Sequence, residues 1–367
     1  MGPHRQRTRN PKTTPYPAVP EVRQVLTYPE NEAELLERLS RPGLELVELF
    51  ARLEQGVLVL GAGGKMGPSL CLLARRAAQQ AGRPELPVVA VSRFSDAQAA
   101  GELERAGVQV VRADLSRDEA WERLPRLENV VWMVGHKFSR SDPPGTYWVR
   151  NVCLVEKLRY LRPRRVVALS SGNVYPFVRL GEPAATEQTE PQPRGEYAVT
   201  VWGREQVLRH LAATCGMGVH LVRLNYAVEL RYGVLVDLAR MILQGQKVPL
   251  AVPEVNLVWQ GYANAVLLRL LEHAREGQAK VLNLTGPQRL PVRWLAEQLA
   301  QRLGKPVQFQ QPEGLESLVA DASRCHGLFG LPEPPLEVLL DWTARWVGSG
   351  GPVWDKPTKF WVSSGRF

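Results

Sequence analysis

Val57-Leu58-Val59-Leu60-Gly61-Ala62-Gly63-Gly64-Lys65-Met66-Gly67 is the stretch whose reading decides the fold. Four apolar residues run into a glycine cluster, and a long helical pattern follows at once. A buried parallel strand that ends in a tight turn opening a helix reads this way. Gly61, Gly64 and Gly67 give the spacing GxxGxxG. Gly61 allows a sharp turn out of the strand, Gly64 a close backbone approach to a pyrophosphate, and Gly67 tight packing of the new helix on the sheet. The helix N-terminus, entered through Lys65 and Met66, offers N–H groups and a positive dipole end to phosphates. An ordinary glycine-rich turn has the same local spelling, so the flanking elements must choose between the two.

Working outward, Val88–Val91 is a second apolar run and ends in Ser92-Arg93. An acid commonly stands there to accept hydrogen bonds from the ribose of NAD. A hydroxyl and a guanidinium suit a 2′-phosphate instead, which points to NADP, with NAD as the alternative. Further strands are read at 108–111, 130–134, 166–169 and 219–224, with helical stretches between them. This alternation predicts a doubly wound parallel sheet with right-handed crossovers. Upstream, Asn31–Leu53 carries helical periodicity broken by Pro42-Gly43, which predicts two helices packed on the main domain.

The chain has 367 residues, 44% of them hydrophobic, enough for a sizeable core. No apolar run reaches the roughly eighteen residues that a membrane-spanning helix requires. Residues 1–22 read as a disordered basic tail: Arg5, Arg7, Arg9 and Lys12 stand among prolines, with neither an apolar secretory core nor a myristoylation motif. Cys71, Cys153, Cys215 and Cys325 are scattered without ligand spacing, which predicts reduced, mostly buried thiols, a cytoplasmic location and no metal site. The net charge of +9 suits anionic ligands. The arginines are spread along helices and no RNA-binding signature occurs, so nucleic acid is a minor reading.

As an ordered set, the motifs resemble those of the extended short-chain dehydrogenase/reductases, the NAD(P)-dependent epimerase/dehydratase group. The glycine fingerprint is followed by Asp114-Leu115, similar to the family's Asp after the third strand, and by Asn151-Val152, similar to its Asn-Val pair. Ser170-Ser171-Gly172-Asn173-Val174-Tyr175 resembles its SSxxVY motif, and Tyr197-Ala198-Val199-Thr200 the start of its YxxxK motif. Val281–Gly286 and Pro291–Leu303 resemble its C-terminal segment, so the likeness runs from about Val57 to Val347. It implies a Rossmann-type domain (55–229) and a smaller C-terminal α/β substrate domain (230–347), beside a helical extension (23–54) and a C-terminal tail (348–367). It implies a cofactor set that adds Asp114, Leu115, Val134, Gly135, Asn151 and Ser170 to the glycine turn and to Ser92 and Arg93. It also implies a homodimer through helices starting near Gly145 and Tyr197.

By the same resemblance Tyr197 is the acid/base, Ser171 binds the same substrate oxygen, and a Lys four residues after the Tyr lowers the Tyr pKa. Here that position is Val201. A tyrosine has an ordinary pKa of about 10, so without the cation Tyr197 is expected to stay protonated, able to donate a proton and poor at removing one. Arg204, two turns on, is a candidate replacement for the charge. His136 is a candidate general base and Lys137 a candidate substrate contact, both after the fourth strand where ligands of such sheets bind. Asn173, Asn225 and Arg231 complete the candidate substrate set. Nucleotide-sugar members usually carry an Arg near positions occupied here by Val255 and Asn256, which weakens a nucleotide-sugar assignment. Trp259 reads as a buried Trp rather than a sugar platform. The tail, with Trp354, Phe360, Trp361 and Phe367, is expected to pack on the body or on a partner subunit. The sum is an NAD(P)-dependent sugar or sugar-nucleotide epimerase, dehydratase or oxidoreductase with a lysine-less site. The alternative is a non-catalytic NADP-binding sensor or scaffold on the same fold.

Overall fold

The computed structural model describes residues 26–136 and 143–364. The basic tail, Lys137 and Phe367 therefore lie outside the described residues. Seven parallel strands form one sheet: β1 (Val57–Leu60), β2 (Val88–Ser92), β3 (Gln109–Arg112), β4 (Asn129–Trp132), β5 (Arg165–Ser171), β6 (Gly218–Leu224) and β7 (Ala279–Leu284), in the order β7-β6-β5-β4-β1-β2-β3. Val57 pairs with Val88 on one side and Asn129 on the other, so the strand order reverses at β1/β4 and opens a crevice at the strand C-termini. The strands read as continuous apolar runs because both faces are covered. Leu58, Leu60, Val89, Val91, Val130 and Trp132 enter one cluster, while Val57, Val59, Val88, Ala90 and Val131 enter the other.

Helices α1 (Glu32–Leu39) and α2 (Leu44–Arg52) precede the sheet, and the Asn31 side chain accepts from the Glu34 amide to start the first. Helix α1 buries Leu35 and Leu39 in the C-terminal lobe, whereas α2 buries Leu46, Leu49 and Phe50 against the sheet. Helix α3 (Gly67–Gln80) packs below β1, and α4 (Ala97–Arg105) joins β2 to β3. Residues 146–161 form a mixed run in which Val149–Cys153 is π-helical. Helix α5 (Gly195–Cys215) packs beside that run and ends at Gly216, whose φ of +72° is the left-handed cap that favours glycine.

The C-terminal lobe packs α6 (Val234–Leu243), α8 (Val292–Leu303) and α9 (Leu336–Gly348) around a second core, while α7 (Gln260–Arg269) lies against α3. Short paired strands, among them Glu254–Val255 with Leu290–Pro291 and Gln308–Gln310 with Lys247–Pro249, stitch this lobe together and carry no sequence signature of their own. Trp259 is buried, edge-on to Trp342 at 6.1 Å. The tail packs on the body: Phe360 is buried, and the Trp354 amide donates to the Arg231 carbonyl. Among the described residues no helix is long and apolar enough to cross a membrane, and no group of three or more His, Cys, Asp or Glu could hold a metal ion. Cys71 and Cys325 are buried thiols, and burial pushes the Cys325 thiol up to about 12, but Cys153 and Cys215 are exposed, so only half of the cysteines are buried as expected.

His220 sits buried in β6, and burial pushes its pKa down to about 4. The unfolded value is about 6.5. Between those values the unfolded chain binds the extra proton, so stability falls as pH drops through this window. From pH 7 to pH 4 this group is expected to cost on the order of 3 kcal/mol. Urea midpoints of wild type and His220→Leu measured across that range test it. Parallel pH dependences for the two proteins would assign the acid sensitivity elsewhere.

Candidate functional site

The C-terminal ends of β1, β4, β5 and β6 open into a cavity of about 540 Å³. Its floor starts at the glycine turn. Gly61 has φ +87°, and a Cβ there would sit 2.7 Å from the Met133 backbone. At Gly67 a Cβ would meet the Ala62 carbonyl oxygen at 2.2 Å, so α3 can approach β1 this closely only without a side chain. Gly64 differs: a Cβ would find only the Gly61 carbonyl, at 3.5 Å. The protein itself tolerates a side chain at Gly64, and what a bare backbone spares there is the cavity. Lys65, Met66 and Gly67 line the same space, at the N-terminus of a fourteen-residue helix. This geometry fits a pyrophosphate.

Ser92, Arg93, Asp114 and Leu115 lie away from this cavity, at the ends of β2 and β3. The Ser92 hydroxyl lies 2.7 Å from where a Gly63 Cβ would be, which ties the β2 end to the turn. Asp114 is exposed and accepts from the Ser116 hydroxyl and amide, and with help from the Arg93 charge this holds its carboxyl below the usual range. Leu115 is buried, and its carbonyl accepts from the Trp121 indole.

Tyr197, Ser171, Asn173, His136, Val134, Gly135, Ser170 and Asn225 all line the cavity. Strand β5 runs two residues beyond the expected 166–169, carrying Ser171 to the mouth, where its hydroxyl hydrogen-bonds the Tyr197 phenol and Asn173. Burial raises the Tyr197 pKa, and the nearby Arg204 charge and the Ser171 hydrogen bond only partly oppose this. Val201 points instead into an apolar cluster with Val174, Tyr175 and Leu318. Arg204 donates to the carbonyls of Val134 and Leu169 at 3.0 and 2.8 Å, so its cation is fixed at the ends of β4 and β5. Ser170 turns away and donates to Glu205, which is paired with Arg223 beneath the site.

Asn151, in the π-helical turn, accepts from the His136 amide at 2.7 Å and donates to the His136 carbonyl and to Thr200 on α5. Its amide is spent holding the loop after β4 against the helix of Tyr197. Arg150 reaches the His136 Nδ1 at 3.1 Å. A guanidinium can only donate, so Nδ1 accepts and the ring proton sits on Nε2. His136 thus lines the cavity with its Nδ1 engaged by Arg150.

From the C-terminal lobe, Asn225 presents a buried Oδ1 with no hydrogen-bond partner, in space that a Cβ on Gly172 would fill. Arg231 lies outside the cavity, with Nε 3.1 Å from Glu229 and Nη1 3.0 Å from Glu32. Two carboxylates already neutralise it, which removes the reason for assigning it an anionic substrate group. Tyr226, Tyr232, Gln260 and Leu318 line the cavity, as do Lys356, Pro357, Thr358 and Lys359 of the tail. None of these was singled out as a site residue from sequence. The tail's aromatics announced packing, but nothing local announced that its lysines would face a ligand space.

A family model for the NAD-dependent epimerase/dehydratase family matches residues 57–252, just over half of the chain. A comparison with curated proteins finds no match. Among solved structures, the chain is similar to the UDP-glucose 4-epimerase of Thermus thermophilus in complex with NAD, at 20% identity and a TM-score of 0.65, covering 79% of this chain and 98% of that one. It is similar to the dTDP-glucose 4,6-dehydratase of Streptomyces venezuelae solved with NAD, at 19% identity and TM-score 0.65, covering 80% and 97%. It is also similar to the UDP-glucuronic acid 4-epimerase of Bacillus cereus solved with UDP-glucuronic acid and NAD, at 16% identity and TM-score 0.66, covering 80% and 99%. At these identities the likeness is one of fold. The family model spans the glycine turn and the tyrosine helix, and the chain belongs to the NAD-dependent epimerase/dehydratase family.

Proposed function

We propose that the protein is an NADP-using sugar or sugar-nucleotide epimerase, dehydratase or oxidoreductase whose proton chemistry runs through Tyr197 without a lysine. The supporting observation is the Tyr197–Ser171 hydrogen bond inside a cavity that begins at the glycine turn. The bound dinucleotide supplies the hydride donor or acceptor. Ser171 and Tyr197 hold a substrate oxygen between them. With its pKa raised by burial, Tyr197 is a proton donor at neutral pH, which suits carbonyl reduction. Arg204, fixed by two carbonyls, favours the developing phenolate from behind. Asn173, with Asn225 beside it in the cavity lining, is placed to hydrogen-bond hydroxyls of a sugar-like substrate. Lys137 belongs to the same candidate substrate set through its position after β4. The cysteine usage suggests a cytoplasmic protein and the family a homodimer, with exposed Trp148 and Val149 on the run 146–161 as a candidate contact, which sedimentation velocity reads directly.

NADP preference rests on Ser92 and Arg93. Fluorescence titration should show NADPH binding more tightly than NADH. Arg93→Ala should weaken NADPH about tenfold while leaving NADH within about twofold, roughly the worth of one charge on a phosphate. Equal binding of both cofactors by wild type would remove NADP from this reading. The burial of Val201 in an apolar cluster favours a second reading, a non-catalytic NADP-binding sensor or scaffold. Cofactor binding without hydride exchange across a panel of sugars and keto-sugars would select it.

A further inference from the structure

We propose that the C-terminal segment Trp354–Phe360 is a built wall of the ligand site, and that its Lys356 and Lys359, which line the same cavity as Lys65, bind the phosphate of a phosphorylated ligand. The proposal rests on the ligand-site reading of the cavity above.

Three anchors hold the segment. Trp354 lies against the Tyr232 ring at 6.2 Å and under the Arg231 guanidinium at 4.7 Å, with its amide on the Arg231 carbonyl. The Thr358 amide and hydroxyl both donate to one oxygen of the buried Asp237, at 2.8 and 2.6 Å. Phe360 is 1% exposed. These anchors alternate with the lysines, so Lys356 and Lys359 are presented to the cavity by a backbone that is tied down on both sides. Lys359 has φ +56°, uncommon for a residue with a side chain. Such a conformation persists only where the surroundings over-determine it, as buried Thr358 and Phe360 do here.

The charge of the lining points to the ligand class. Among the described lining residues are Lys65, Arg204, Lys356, Lys359 and not one Asp or Glu. The Arg204 guanidinium faces two backbone carbonyls. Lys65 crosses the Tyr232 ring with Nζ 3.1 Å from its centroid, which steers it toward the side of the cavity that the tail closes. Three ammonium groups around one space, beside a helix N-terminus, match a phosphate or diphosphate better than a single carboxylate.

The phosphate could belong to the dinucleotide or to the substrate, and the test separates them. Wild type and Lys356→Gln/Lys359→Gln are titrated with NADPH and NADH, and with UDP, a hexose 6-phosphate and inorganic pyrophosphate, by calorimetry at low and moderate salt. At least tenfold weaker binding in the double variant, with a shallower salt dependence, is the expected result. Loss confined to NADPH assigns the lysines to the cofactor phosphates. Loss confined to UDP, the hexose phosphate or pyrophosphate assigns them to the substrate phosphate. Changes within twofold for every probe would overturn the proposal, as would wild type that binds none of them. Wild type that binds UDP or pyrophosphate but neither NADPH nor NADH would defeat the cofactor reading alone. Melting curves of the double variant, expected to match wild type because Trp354, Thr358 and Phe360 are kept, separate lost binding from lost fold.

Discussion

Replacing Arg223 with methionine is expected to destabilise the protein by about 3–5 kcal/mol, the usual cost of orphaning one member of a buried ion pair. Arg223 and Glu205 are each at most 2% exposed, and the carboxylate accepts from the arginine Nε and Nη2 at 3.0 and 2.7 Å. Without the guanidinium, Glu205 keeps only the Ser170 hydroxyl in a site closed to water. The damage should spread upward. Arg223 also lies over the Tyr175 ring at 4.6 Å, and the Tyr175 hydroxyl donates to Asn283 on β7. The double variant Arg223→Met/Glu205→Leu should recover most of the loss, because an apolar pair of similar volume leaves no buried charge. Urea denaturation measures both. A single variant within about 1 kcal/mol of wild type would mean that water reaches the carboxylate.

The second large effect falls on turnover. On an identified substrate, Tyr197→Phe should lower kcat by about 10²–10⁴-fold, the range for a positioned proton donor. Ser171→Ala should cost less, about tenfold or more, since it loses one hydrogen bond and keeps the phenol. Cofactor affinity should change little in either variant. The pH profile carries the sign. A phenol whose pKa is raised above 10 stays protonated through the neutral range, so carbonyl reduction should be flat from about pH 6 to about pH 9. Oxidation should be slow throughout, because the phenolate is scarce. Full activity in both Tyr197→Phe and Ser171→Ala would remove these roles.

The fold was legible because it is written locally. Apolar runs of four, the glycine spacing and the Pro42-Gly43 break need only a few neighbouring residues, and the strands fell within a residue or two of their expected places. Parts of the site were legible for the same reason: the motifs around Ser171 and Tyr197 meet in one cavity. What stayed hidden depends on partners distant in sequence. Asn151 reads as a cofactor residue by resemblance, yet its amide spans His136 and Thr200. His136 reads as a base, and its contact with Arg150 through Nδ1 could not be foreseen. Arg231 reads as an anion site until Glu32, nearly two hundred residues away, is found beside it. The tail lysines face a cavity only because Thr358 finds Asp237, 121 residues earlier. No periodicity encodes such pairs.

The two helices that precede the sheet limit how the protein can breathe. One is rooted in the C-terminal lobe and the other in the sheet's core, and only residues 40–43 join them. Fully stretched, four residues span about 14 Å at most, and a clasp this short lets the two lobes part only modestly before one of its roots must tear free. A hinge that gapes to admit a ligand is therefore costly for this molecule. Spin-label distances between α4 and α9, taken with and without ligand, should shift by only a few ångströms. Traffic into the cavity then passes its rim, where the anchored C-terminal segment stays in place as a wall.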